Sequence, residues 1–219
     1  LYDGGIAMKR GNVISLYVPD KKEPSATFTL PEGSRWVQGN QTGAWVEKDG
    51  KLYTFSRFFM PANKVEELQQ REGVPYQLYI SKGLLQVSGE NFVDYTDCFE
   101  WFRSLVEDYE ILPLQVGYDR YSAQYLVQQM EQYGFHMDDV HQGENLTPVI
   151  HEADGLLRDK TLQLGTNNLL KAHFLNVGMK QNEETRKIRP VKIDPRCHID
   201  GFVAVIDALT VRQKWYESI

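Results

Sequence analysis

The 219-residue sequence has little of what marks several protein classes. It holds only two cysteines, Cys98 and Cys197, which excludes a disulfide framework and fits a reducing compartment. No apolar run approaches the roughly 18 residues of a membrane-spanning helix. Mean hydropathy is −0.46, so no membrane partner is expected. Basic residues are in the minority, with 24 Lys and Arg against 30 Asp and Glu and a net charge of −6. That excludes a histone-like, globally basic nucleic-acid binder but leaves room for an enzyme with a local basic face. There is no G-x-x-x-x-G-K-[ST], hence no P-loop ATP hydrolysis, and no G-x-G-x-x-G, H-E-x-x-H, C-x-x-C or G-x-S-x-G. His136, His141, His151, His173 and His198 are scattered without zinc-ligand spacing, and each reads as a surface or internally satisfied histidine. The chain opens Leu1-Tyr2-Asp3 without a methionine and is expected to be an excised piece of a longer protein.

A length of 219 residues with 42% hydrophobic content suffices for one full core, so a single domain over 1–219 is expected. Strand signals fill the first third: 13–18, 26–30, 45–47 and, after the Asp49-Gly50 turn, 52–59. The period then becomes helical. Asn63 is a plausible N-cap for a helix to Gln70, and Tyr95–Tyr109 carries Phe99, Phe102, Leu105 and Val106 on a 3/4 repeat. A strand over 111–118 and a helix from about Ser122 to Tyr133 give the order helix, strand, helix that signals an α/β fold. Helices over 147–158 and 168–176 follow, then a polar, basic loop over 178–195. A closing helix from Asp200 to about Lys214 is apolar around most of its circumference and is expected to be buried.

The chemistry left by these exclusions is that of placed carboxylates. Asp119 follows the 116–118 strand end, where ligands bind in α/β sheets; a turn or capping aspartate satisfies the same spacing. Asp200 opens the last helix, where an acid is also favoured by the helix dipole. Asp207, seven residues on and about 10 Å along the axis, is an acid inside an apolar helix, costly unless paired or bound to a cation. Aspartates converging from a strand end and a helix form an all-oxygen site suited to Mg²⁺ or Mn²⁺. Lys180, Arg186, Lys187, Arg189, Lys192 and Arg196 lie in or beside the basic loop that runs into Asp200. They are candidates for binding a phosphate backbone, or for a solvated, mobile surface loop.

Several stretches resemble the large terminase subunit of tailed bacteriophages or prophages. They are Phe58-Phe59-Met60-Pro61, Val74-Pro75-Tyr76, Gly83-Leu84-Leu85, Val93-Asp94-Tyr95, Val116-Gly117-Tyr118-Asp119-Arg120-Tyr121-Ser122-Ala123 and His198-Ile199-Asp200-Gly201-Phe202-Val203-Ala204. The resemblance runs from about residue 45. With no P-loop, it is to the nuclease half of the family, without the N-terminal packaging ATPase. It implies an RNase H-like α/β fold, a mixed β-sheet flanked by helices. It also implies a metal-dependent endonuclease that cuts concatemeric viral DNA with two Mg²⁺ or Mn²⁺ ions and little sequence preference. Double-stranded DNA, the portal and the small terminase subunit are the implied partners, and the cytoplasm of an infected or lysogenic bacterium is the implied setting. Asp119 and Asp200 match two family acids, with Asp207 as an accessory. The remaining family acid ends the opening strand of the fold in a G-x-D-[LI]-[SA] stretch. It is either Asp3 or a residue before Leu1. Residues 22–43 read as an insertion. A junction resolvase, a transposase core and a non-catalytic docking module of the packaging motor are the competing readings.

Overall fold

The computed structural model describes residues 50–113, 115–119 and 124–215, with the backbone of Tyr216 and of five strands between residues 6 and 48. In chain order the strands of the first third are β1 (Ile6–Arg10), β2 (Val13–Tyr17), β3 (Ala26–Thr29), β4 (Arg35–Asn40), β5 (Gly43–Lys48), β6 (Lys51–Ser56) and β7 (Phe58–Met60). Helices α1 (Ala62–Glu72) and α2 (Tyr76–Ser81), strand β8 (Leu85–Val87) and helix α3 (Tyr95–Glu107) follow. Next come β9 (Val116–Asp119), α4 (Gln124–Tyr133), β10 (Met137–Val140), a 3-10 turn over Glu144–Leu146, α5 (Thr147–Arg158), β11 (Leu162–Gln163) and α6 (Asn168–Leu175). The chain ends with β12 (Val177–Gln181), β13 (Ile188–Lys192) and α7 (Asp200–Tyr216).

The main sheet is mixed. Its order is β11-β6-β5-β4, with β4-β5-β6 antiparallel and β11 parallel to β6. On its far side β4 lies against β9, which pairs in parallel with β10. The strand expected over 52–59 is therefore two, β6 and β7, split at Arg57. The strand expected over 111–118 is confined to Val116–Asp119, because Pro113 lacks the N–H a ladder needs. Asn63 does not cap α1. Pro61 stands at the N-cap without a side-chain bond, and the main-chain N–H groups of Ala62 and Asn63 donate to the carbonyls of Gly89 and Glu90. Asp94 does cap α3, accepting from the N–H of Thr96 at 2.8 Å. Within the 22–43 segment, read above as an insertion, β4 pairs with β5 in the main sheet.

Alternation along β9 sorts the two faces. Val116 and Tyr118 pack with α3 and α4 around Phe102, Leu126, Met130 and Phe135. Gly117 faces α7, so close that a Cβ would sit 2.7 Å from Val211 Cγ2 and 3.0 Å from the Asp207 carbonyl oxygen. Asp119, two residues on, lies on that same face. Helix α7 is buried through Phe202, Ala204, Val205, Ile206, Asp207, Ala208, Leu209 and Val211, as its all-round apolar sequence requires. Its C-terminal end is pinned by Lys214 Nζ and Trp215 Nε1, which donate to Asp138 at 2.8 and 2.5 Å. Among the described residues no helix is long and apolar enough to cross a membrane.

The expected loop over 178–195 is instead an antiparallel hairpin, β12–β13, with Lys180 opposite Arg189 and Val177 opposite Lys192. Glu144 holds its turn, accepting from Asn182 Nδ2 at 2.8 Å and from Thr185 Oγ1 at 3.2 Å. Thr147 Oγ1 both donates to the Ile188 carbonyl and accepts the Ile188 N–H. These long-range bonds give the basic segment a fixed position on the body of the protein.

Candidate functional site

The C-terminal ends of β9 and β10 and the N-terminal half of α7 meet on one face of the sheet. Strand register places Asp119 opposite Val140. Just beyond, Gln142 Nε2 donates to Asp207 Oδ1 at 2.8 Å. Burial, reinforced by the charge of Asp119 and opposed by the Gln142 bond, pushes the Asp207 carboxyl up to about 7. The acid suspected within the apolar helix is therefore genuinely buried, at 5% exposure, and it is the neighbour that feels Asp119.

Asp200 sits about 10 Å from Asp207 along the helix axis, in a different setting. Its side chain is 73% exposed, and His198 Nδ1 lies 3.4 Å from Oδ2. The His198 imidazole beside it outweighs desolvation and holds the carboxyl near 2. The other imidazole nitrogen, Nε2, lies 3.3 Å from Glu72 Oε1, on a side chain only 3% exposed. Glu72 also pairs with Arg71 at 2.7 Å and accepts from the Tyr76 hydroxyl at 2.7 Å. Burial alone would raise its pKa, but those bonds and the nearby charges lower it. The His198 carbonyl accepts from Asn176 Nδ2 at 3.0 Å.

His173 fixes the start of α7 from beneath. Its Nδ1 accepts the Gly201 N–H at 2.9 Å, satisfying one of the donors a helix leaves open at its first turn. An acceptor nitrogen needs the neutral imidazole, and burial lowers the His173 pKa to about 4. Gly201 is required there: a Cβ would lie 2.8 to 3.0 Å from the Phe58 ring and 2.9 Å from Leu170 Cδ1. Sequence reasoning set aside both histidines. Neither has a local motif, and Glu72, His173 and His198 meet only through the packing of α1, α6 and the segment that leads into α7.

Of the expected site residues, Asp119 at the end of β9 and Asp207 in α7 lie close enough for the charge of one to act on the other. Asp200 stands apart at the head of α7 beside His198, and Asp3 lies outside the described residues. Strand β4, Arg-Trp-Val-Gln-Gly-Asn, carries no carboxylate. Among the described residues no three His, Cys, Asp or Glu side chains gather closely enough to hold a metal ion. The donors present are carboxylate oxygens, which fit a hard divalent cation in kind. The exposed Asp200, ionised at neutral pH, is open to such an ion. Lys180, Arg186, Lys187, Arg189, Lys192 and Arg196 are all exposed. Arg196 is held by Asp194 through contacts of 2.7 and 3.1 Å.

This layout, a mixed sheet with helices on both faces and acids where a strand end meets the last helix, is an RNase H-like fold. Residues 34–214 match the family described as terminase large subunit, endonuclease domain, and the chain belongs to that family. It is similar to the crystal structure of the HK97 bacteriophage large terminase, with a TM-score of 0.68 at 17% identity over 92% of this chain. The chain spans 37% of the HK97 protein. It is also similar to the large terminase nuclease of thermophilic phage G20c solved with bound magnesium, with a TM-score of 0.46, 11% identity, and coverage of 93% of this chain and 89% of that one. The cobalt-bound form of the G20c nuclease gives 0.47 at 13% identity, with 93% and 89% covered. No curated protein sequence matches the chain.

Proposed function

We propose that this chain is the nuclease domain of a phage or prophage large terminase. In this reading it is a divalent-metal-dependent endodeoxyribonuclease that cuts concatemeric viral DNA during packaging, in the cytoplasm of an infected or lysogenic bacterium. The single observation that carries the reading is the family match over residues 34–214, which Asp119 at the end of β9 and Asp200 at the head of α7 support. Asp119 and Asp200 would hold Mg²⁺ or Mn²⁺, two ions in all, with Asp3 as the remaining ligand and Asp207 as an accessory. A bound ion of this kind polarises the phosphate and lowers the pKa of a water for attack on phosphorus.

The chain's own residues do the rest. Lys180 and Arg189 face each other across the hairpin and, among the described residues, neither is in an ion pair. Like charges so placed repel one another until an anion lies between or above them, and a DNA backbone supplies that anion. Such contacts carry no base information, so little sequence preference is expected. The portal and the small terminase subunit are the further partners this reading brings with it.

Nicking of supercoiled plasmid in Mn²⁺ by wild type and by Asp119→Ala tests the reading. Wild type should convert the plasmid to open-circular and linear forms, and the variant should be slower by a factor of about 100 or more. A competing reading, a docking module without catalysis, is favoured by the lack of a three-ligand cluster among the described residues. Wild type that nicks no better than Asp119→Ala would overturn the catalytic reading.

A further inference from the structure

Three buried or half-buried side chains around Asp200 have no part in the reaction as read so far: Glu72, His173 and His198. We propose that His198, braced from behind by Glu72, is a positioning residue that fixes the Asp200 carboxylate for the cation. The inference rests on the reading of Asp200 as a metal ligand.

The geometry is that of a clamp. His198 Nδ1 faces Asp200 Oδ2 at 3.4 Å, and Nε2 lies 3.3 Å from Glu72 Oε1 as a contact of charges without a hydrogen bond. The ring therefore stands between an exposed carboxylate and a nearly inaccessible one. Four further contacts keep it from turning. The His173 ring lies parallel to it, 6.2 Å between centroids at 22°. Its own carbonyl is tied to Asn176. Glu72 is held on its other side by the Tyr76 hydroxyl and the Arg71 guanidinium. His173, in turn, anchors the Gly201 N–H next to Asp200.

Rigidity matters here because Asp200 is otherwise free to rotate into solvent, and a carboxylate that must first be ordered binds a cation more weakly. Groups that hydrogen-bond a ligand from outside commonly govern 10–100-fold of metal affinity.

The test is Mn²⁺ binding to the 219-residue chain, followed by the loss of the free-ion EPR signal, with plasmid nicking measured alongside. His198→Ala should weaken Mn²⁺ binding about tenfold and shift the Mn²⁺ midpoint of nicking by the same factor. The rate at saturating Mn²⁺ should change less than threefold. His198→Asn, whose amide nitrogen reaches the place of Nδ1 but leaves Glu72 without a partner, should recover only part of the loss, and Glu72→Gln should weaken binding to about the same remaining extent. Adding Glu72→Gln to His198→Ala should cost nothing more, since the brace has nothing left to hold.

Thermal melts must first show each variant folded. For any that is not, Glu72→Gln, which keeps shape and volume, carries the test. Unchanged Mn²⁺ affinity in folded His198→Ala, or a fall in saturated rate with no change in affinity, overturns the clamp. If wild type and Asp200→Ala bind Mn²⁺ equally, the assignment of Asp200 as a ligand falls, and the clamp with it. Affinity lost in Asp200→Ala but retained in both His198→Ala and Glu72→Gln removes the clamp alone.

Discussion

Gln142, just past the end of β10, donates from Nε2 to Oδ1 of Asp207 at 2.8 Å, in the middle of a helix that is otherwise apolar on nearly every side. The bond does not compensate for burial, which, with the charge of Asp119, holds the Asp207 carboxyl at about 7.

A pH dependence of stability results. The folded pKa is raised, so the folded chain binds a proton that the unfolded chain releases near pH 4. The stabilisation is complete below the unfolded value and is lost as pH rises through about 7. Asp207→Asn keeps the oxygen that accepts from Gln142 and removes the titration. In chelator, the unfolding free energy of the variant should gain on that of wild type between about pH 4 and pH 7 and hold level above. The full difference is on the order of 2–4 kcal/mol. Denaturant unfolding of both proteins at several pH values measures it. A difference independent of pH would mean that Asp207 is ionised throughout.

The contact between Gly117 and α7 gives a second prediction. A methyl group there meets a backbone carbonyl, which cannot swing aside, as well as Val211 and Val140. Gly117→Ala should cost about 1–3 kcal/mol, lowering Tm by roughly 2–4 °C per kcal/mol. It should also slow nicking, because Asp119 shares the displaced strand. Gly155, inside α5 with nothing within 4 Å of its Cβ position, is the control. Gly155→Ala should raise stability by up to about 1 kcal/mol through helix propensity alone. Equal melting of the two variants would show that the β9–α7 approach is not tight.

What could be read in advance follows from where each signal lives. Helix α7 was legible from its start at Asp200 to its last turn, because an apolar run with an acid at its head is a local pattern. So was α3, with Asp94 before it. The hairpin was not. Gly178 and Pro190 are poor strand residues, and its bonds to Glu144 and Thr147 come from a distant part of the chain. Asp119 and Asp200 were legible as a strand-end acid and a helix-head acid. The Glu72–His198 clamp was hidden because three unrelated segments supply it. Strand β4 shows the reverse failure. The stretch 35–40, within the segment read as an insertion by resemblance, has no strand pattern among those read from the sequence, yet β4 pairs with β5 and lies against β9 and α7.

The hairpin yields the last prediction. Lys180 and Arg189 sit directly opposite each other, so one phosphate can meet both. Arg196, by contrast, is already engaged by Asp194, which both its hydrogen bonds and its charge keep ionised, near 2. Lys180→Ala with Arg189→Ala should therefore weaken binding to duplex DNA of any sequence. The slope of log affinity against log salt should become shallower by about 1 to 2. Arg196→Ala should change that slope by less than either single hairpin substitution, since its charge is spent within the protein. Fluorescence anisotropy with two unrelated duplexes, from low to physiological salt, reads both quantities. A loss confined to one duplex would mean that the hairpin reads bases rather than backbone, and a slope unchanged in the double variant would take the hairpin out of the DNA-binding surface.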